Sequence, residues 1–256
     1  MNRMNNLATY SCTALMGTNK MGIIKPDSDG YYEMVLGGLD VNNSVGAFYP
    51  LAPAKELFEA SSSLQRRISN GSLKGEYGHP KKIPGMSDRD FLARIMELRE
   101  SELCCHFKEV SIVPNVKDKD GRSTVAIIGK VIPSGPHGPA LQKSLENRHE
   151  NVCFSIRSLT LDEYVGGRLI KTLKNIITWD YVNEPGIAIA NKYCAPTLEN
   201  LHEVAFTPEV LNSVKEEHAK MRGLGMESGI IVSADEIEKS LGWKAGTISA
   251  RTSTKW

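Results

Sequence analysis

Two apolar runs joined by a polar turn constrain this chain more than any other feature. Residues 103–113 alternate as a strand does, with Cys105, Phe107, Glu109 and Ser111 against His106, Lys108 and Val110. The segment KDKDGR follows, then STVAIIGKVI at 123–132, a strongly apolar run. Charged residues and a glycine between two such runs reverse the chain, so the pair reads as an antiparallel hairpin. Further strands are expected at 8–14, 31–38, 151–160 and 168–182. Helical spacing separates them. From Pro53 to Ile68, Leu57, Ala60, Leu64 and Ile68 share one side, and Asn70 and Gly71 stop the run. Ser87 starts a helix with Asp88 and Asp90 in its first turn and Phe91, Ile95 and Leu98 along one stripe. A shorter helix is expected at 140–149. Strands interleaved with helices predict a mixed α/β chain with a mainly antiparallel sheet, which has scope to close as a barrel.

Beyond Thr207 the texture changes. Residues 208–222 read as a polar, solvated helix, and 223–256 are rich in Gly, Ser, Thr and Lys apart from an amphipathic piece at 234–241. A boundary near 205 is therefore expected, with a strand-rich body at 1–205 and a helical, flexible tail at 206–256.

Composition removes several function classes. A net charge of +1 sets up no field that would draw nucleic acid or a membrane surface. No apolar run is long enough to span a bilayer, and the N-terminus lacks an apolar signal region. The 5 cysteines, with Cys104 and Cys105 adjacent and no CxxC, suit reduced thiols. The 6 histidines are scattered without metal-ligand spacing, and neither GxGxxG nor a Walker A motif occurs. Neither a metal nor a cofactor is expected.

Three stretches carry chemistry. In NVCFSIRSLT at 151–160, Val152, Phe154 and Ile156 fall on one strand face and Cys153, Ser155 and Arg157 on the other. A small nucleophile on a rigid strand suits covalent catalysis. Serine needs an imidazole to take its proton, and the imidazole needs an acceptor to fix its tautomer. GEYGHP at 75–80 supplies His79, with Pro80 restraining its backbone, and TWDYVNEPG at 178–186 supplies Asp180. Trp179 beside Asp180 would screen the His–Asp contact from water. Rivals exist. Cys153 shares the face of Ser155 but lies about 6.6 Å along the strand, too far for one histidine to serve both. Ser158 would face the other way. His106 competes with Asp180 for the third place. An oxyanion needs N–H donors, for which Arg157, the Gly166–Gly167 turn and Gly186 are candidates.

GEYGHP, FSIRS and WDYVNEPG, in that order, resemble the prohead (capsid maturation) proteases of tailed bacteriophages, which share the fold of the herpesvirus assembly proteases. The resemblance runs over roughly residues 10–195. It implies a closed, mainly antiparallel barrel of about seven strands ringed by helices. It also implies a serine endopeptidase that cleaves scaffold (core) and major capsid proteins within the immature head or the host cytoplasm. On that pattern Ser155 is the nucleophile, His79 the base and Asp180 the third member. Ser155 rather than Cys153 is favoured. FSIRS lacks the glycine found in some branches. A homodimer is a further expectation. The tail would bind scaffold, act as a propeptide or be removed by self-cleavage. The alternative is a non-catalytic scaffold- or capsid-binding module on the same fold.

Overall fold

The computed structural model describes residues 7–13, 24–43, 46–117, 123–182, 204–224 and 229–243. Strands β1 (Ala8–Thr13), β2 (Tyr32–Leu39), β3 (Val41–Asn42) and β4 (Phe48–Tyr49) precede helices α1 (Leu51–Ala54) and α2 (Ser63–Ser69). Then come β5 (Lys74–Glu76), α3 (Asp88–Met96) and the long hairpin β6 (Leu103–Lys117) and β7 (Ser123–Pro133). After α4 (Gly138–Glu146), a second hairpin pairs β8 (Cys153–Val165) with β9 (Arg168–Val182). The described chain ends with β10 (Val204–Phe206), α5 (Pro208–Gly223) and α6 (Ala234–Leu241).

The strands form two sheets, in the orders β10-β1-β8-β9-β4-β3 and β2-β7-β6-β5. Among the described residues the paired strands are antiparallel except β4 with β9, which meet in parallel at Phe48 and Ile170. The hairpin expected at 103–132 is present, and the tip at 118–122 lies outside the described residues.

The closed, herpesvirus-protease-like barrel expected above is not formed: the two sheets are open. A barrel requires each strand to be bonded on both sides. Among the described residues, β10 and β3 end one sheet and β2 and β5 end the other. Where β5 nears β9, the backbone pairing is an isolated bridge between Tyr77, just past β5, and Tyr181 rather than a ladder.

The core lies in two compartments. Leu36, Phe107, Ile127, Phe154, Ile156 and Trp179 belong to the larger, and Tyr10, Phe91, Ile95, Leu159, Phe206 and Leu211 to the smaller. The apolar face expected for the central strand, Val152, Phe154 and Ile156, packs into the larger one. Its other face does not meet water either: every residue from Cys153 to Thr160 is buried, and Arg157 reaches the Ile95 carbonyl of α3. β9 bulges near Ile177, since Arg157 pairs with Thr178 but Ser158 with Ile176. The bulge turns Ile177 into the smaller compartment. Arg67 on α2 donates to the Ile176 carbonyl at 2.6 Å and also to that of Ile177, satisfying groups the bulge takes out of the ladder. Burial pushes the Arg67 pKa down to about 10, still charged at neutral pH.

Two helix expectations are corrected. The run from Pro53 to Ile68 is broken, because Ser62 caps a new helix by accepting from Gln65 N at 3.1 Å. The helix at 208–222 is not solvated all round: Leu211, Val214 and His218 are buried.

One close approach invites a test. A β-carbon on Gly75 would stand 2.2 Å from the Trp179 carbonyl oxygen and 2.8 Å from Cys105 Sγ. Gly75→Ala must therefore push β5 off β9. We expect a loss of about 1–3 kcal/mol in denaturant unfolding, with the m-value unchanged. Wild-type stability would show that β5 is not wedged there.

Candidate active site

The site starts from strand register. In the β8–β9 hairpin Ser155 is the partner of Asp180, so the two side chains rise from the same face. Their β-carbons are then about 5 Å apart. His79 arrives from β5. Tyr77 N donates to Glu102 O at 2.8 Å and Gly78 N to Tyr181 O at 2.7 Å, which ties the strand end to β9 one residue past Asp180. Gly78 takes φ +81°, a left-handed conformation that glycine adopts without strain, and the chain turns there. His79 follows, and its Nδ1 lies 2.8 Å from Asp180 Oδ2. The imidazole is 15% exposed and the carboxylate 0%.

Asp180 collects four hydrogen bonds. Oδ1 accepts from Glu76 N at 3.1 Å and Arg157 Nη2 at 2.8 Å, and Oδ2 from Arg157 Nε at 2.8 Å and from His79. Burial alone would raise its pKa, but the Arg157 charge and the His79 bond outweigh burial and hold it below the usual carboxylate range. An ionised carboxylate only accepts, so Nδ1 carries the proton and Nε2 is the nitrogen that can act as a base.

Arg157 is fully buried, and all five of its N–H groups are committed. Three go to Asp180 and Glu76, and Nη1 donates to Glu97 O at 3.0 Å and Ile95 O at 3.4 Å. Burial works against its charge, yet the two carboxylates raise its pKa above the ordinary arginine value. Glu76 links the cluster outward. Its carboxylate accepts from Arg157 at 2.6 Å, from Arg94 at 2.7 and 3.2 Å, and from Arg99 N at 2.6 Å. The result is a buried chain of alternating charge, Arg94–Glu76–Arg157–Asp180, that ends on His79.

The Peptidase S80 family model matches residues 10–237. The capsid maturation protease of Pseudomonas phage phiKZ is 36% identical over 255 residues, covering 97% of this chain and 93% of that protein. The chain belongs to the Peptidase S80 family. The resemblance to prohead proteases therefore stands, and the protein is a peptidase. Among solved structures, the capsid assembly protease of bacteriophage T4 aligns with a TM-score of 0.41 and 14% identity, covering 68% of this chain and 96% of that one.

The other S80 site candidates fall as follows. Arg157 was a possible oxyanion donor, but it has no N–H left to aim at one and instead supports Asp180. Gly186 lies outside the described residues. The turn at Gly166 and Gly167 closes the far end of the hairpin, roughly 30 Å along β8 from Ser155, and cannot reach the reacting carbonyl. Trp179 does not screen the His–Asp pair: it points into the larger compartment against Phe107, with ring centroids 6.0 Å apart. Glu76, Arg157 and the strands dry the contact instead. His106 sits elsewhere on β6, with Nε2 donating to Gly71 O at 3.1 Å and Nδ1 accepting from the Tyr31 hydroxyl at 3.1 Å. Burial lowers its pKa, which suits that neutral role. Ser158 and Cys153 are buried in β8 at 0% and 1% exposure.

Glu76 and Arg94 were missed in the sequence. Signals existed. Glu76 sits inside GEYGHP, and Arg94 falls on the helix stripe of Phe91, Ile95 and Leu98, where a charge is out of place unless paired. Among the described residues no group of His, Cys, Asp and Glu is placed to hold a metal, and no helix is long and apolar enough to cross a membrane.

Proposed function

We propose that this S80 peptidase is a serine endopeptidase that processes scaffold and capsid proteins in the prohead or the host cytoplasm, with Ser155 as nucleophile, His79 as base and Asp180 as the group that orients the base. The observation that carries this reading is the 2.8 Å His79–Asp180 contact, set directly across the hairpin from Ser155. The phiKZ relative supports the substrate class.

In the proposed reaction Ser155 Oγ attacks the scissile carbonyl as His79 Nε2 takes its proton. The imidazolium that forms is steadied by the ionised Asp180, whose own charge is held in place by Arg157. His79 then returns the proton to the leaving amine. Water, activated by the same nitrogen, releases the acyl group from Ser155 and restores the hydroxyl.

A serine-reactive fluorophosphonate tests this on the purified full-length chain. It should add one phosphonyl group, and the modified peptide should contain Ser155. The absence of label at any pH between 6 and 9 would instead favour a binding module without protease activity. Cys153→Ala should keep wild-type cleavage, because Ser155, not the thiol two residues away, carries the acyl group. Activity that survives Ser155→Ala and dies with iodoacetamide would transfer the role to the thiol.

A further inference from the structure

α3 ends at Met96, and Glu97 is already extended, with φ −105° and ψ 156°. That short extended piece receives a second one from far along the chain. Leu98 N donates to Gly229 O at 2.9 Å, Ile231 N donates to Met96 O at 3.1 Å, and Glu97 and Ile230 form an antiparallel bridge. The approach is so tight that a β-carbon on Gly229 would stand 2.4 Å from the Leu98 carbonyl oxygen. The Glu97 peptide is thus held on one edge by residues 229–231. Its carbonyl accepts from Arg157 Nη1 at 3.0 Å and Arg94 Nη1 at 3.3 Å.

We propose that residues 229–231 are a positioning element for the active site: by docking on residues 96–98 they hold the Glu97 carbonyl against Arg157, and Arg157 in turn holds Asp180 under His79. The inference rests on the roles proposed above for Ser155, His79 and Asp180. The physical argument is one of donors. Arg157 is fully buried and makes five hydrogen bonds, of which the Glu97 carbonyl takes one of the two from Nη1. If that carbonyl withdraws, a buried guanidinium N–H loses its acceptor, a costly outcome that rotation of the group can relieve. Rotation moves Nε and Nη2, which are the atoms bound to Asp180. The docked segment is anchored by its own side chains, with Val232, Ile237 and Leu241 buried in the smaller compartment and a Ser233–Glu236 capping box starting α6. Beside the contact lies a cavity of about 260 Å³ lined by Arg94, Glu97, Val214, His218 and Ile230 among others. The bridge can therefore shift into open space without displacing packed side chains. α6 is by this route linked to the Asp180 carboxylate.

The test is Gly229→Val in the full-length protein, read by steady-state cleavage of a peptide substrate and by the low-field proton resonance of His79 Nδ1–H. The expected result is a kcat lowered about 10- to 100-fold, KM within about twofold of wild type, and a shifted or broadened His79 resonance. Labelling of Ser155 by fluorophosphonate should slow by the same factor. Gly229→Ala, which makes the same contact with less bulk, carries the same expectation in milder form and decides the matter if the valine variant does not fold. A folded variant with wild-type kcat and an unmoved resonance overturns the proposal. So does a kcat that falls only in proportion to the unfolded fraction while the resonance of the folded protein stays in place, since that is ordinary structural damage. Failure of the underlying reading looks different: wild-type protein itself would show neither label on Ser155 nor a low-field His79 proton.

Discussion

Ser155→Ala and His79→Ala should each lower kcat/KM by about 10⁴-fold or more, and the double variant should be no worse than either single one. The reason is that hydroxyl and imidazole act as a unit. Without the hydroxyl there is no acyl-enzyme for the base to serve, and without the base the hydroxyl keeps its proton. The two changes should differ in stability, which separates a catalytic effect from a folding one. Ser155 is 3% exposed and stands outside the charge chain, so its loss removes one small oxygen and little else. His79→Ala removes one of the four donors to a carboxylate of 0% exposure and should cost more in a melting curve while leaving the fold intact. Cleavage of the cognate scaffold protein, followed by mass spectrometry of the fragments, measures both. A wild-type rate in either purified variant would remove that residue from the mechanism.

How far these residues could be read before the fold was known depends on which physical signal each one leaves. Strand alternation is local, so the split of residues 152–157 into an apolar face and a small polar face holds in the structure. The hairpin at 103–132 was equally legible, because a polar turn between apolar runs needs no tertiary information. Closure of the sheet is another matter. It depends on whether edge strands pair, and the backbone pairing of the β5 edge with β9 is one isolated bridge, at Tyr77 just past β5 and Tyr181, that no periodicity announces. The burial of Arg157 was hidden for a related reason. Alternation says which face a side chain takes, but not that the carbonyls of Ile95 and Glu97 will close on that face and leave the Arg157 guanidinium fully buried. Trp179 shows the same limit from the other side. Its neighbour in sequence is Asp180, yet adjacent residues on a strand point opposite ways, so proximity along the chain put it in the wrong compartment. A further case is the bulge at Ile177, which needs Arg67 on a distant helix to satisfy its carbonyls.

Arg157→Met should destabilise the protein by about 3–5 kcal/mol at neutral pH, and the stability of the variant should depend on pH with a sign opposite to that of the wild type. In the native chain Asp180 has its pKa held below the usual range, burial being outweighed by Arg157 and His79. Its contribution to stability is therefore fully present above the ordinary carboxylate range and fades as pH falls through the depressed value. Methionine has much of the length of arginine but no charge. Glu76 would keep Arg94 and the backbone N–H of Arg99, whereas Asp180 would keep only His79 and Glu76 N and lose its nearest cation. Burial then governs, the Asp180 pKa rises above its unfolded value, and the folded state favours the proton. Stability of the variant should consequently be greatest in acid and fall as pH rises from about 4 towards neutrality. Urea melts between pH 4 and 8 would display the two opposite slopes. A variant whose midpoint stays parallel to that of the wild type would mean that Arg157 is not what keeps Asp180 ionised. Arg157→Lys should fall between the two, since an ammonium restores the charge but cannot span Asp180, Glu76 and two carbonyls at once. Replacing Arg94, Glu76, Arg157 and Asp180 together by apolar residues that pack well would recover much of the lost stability, because no member of the charged chain would remain unpaired inside. It would restore no cleavage, because His79 would then have no carboxylate to fix its tautomer. The charged chain is thus better explained by what it does for the imidazole than by what it adds to the fold.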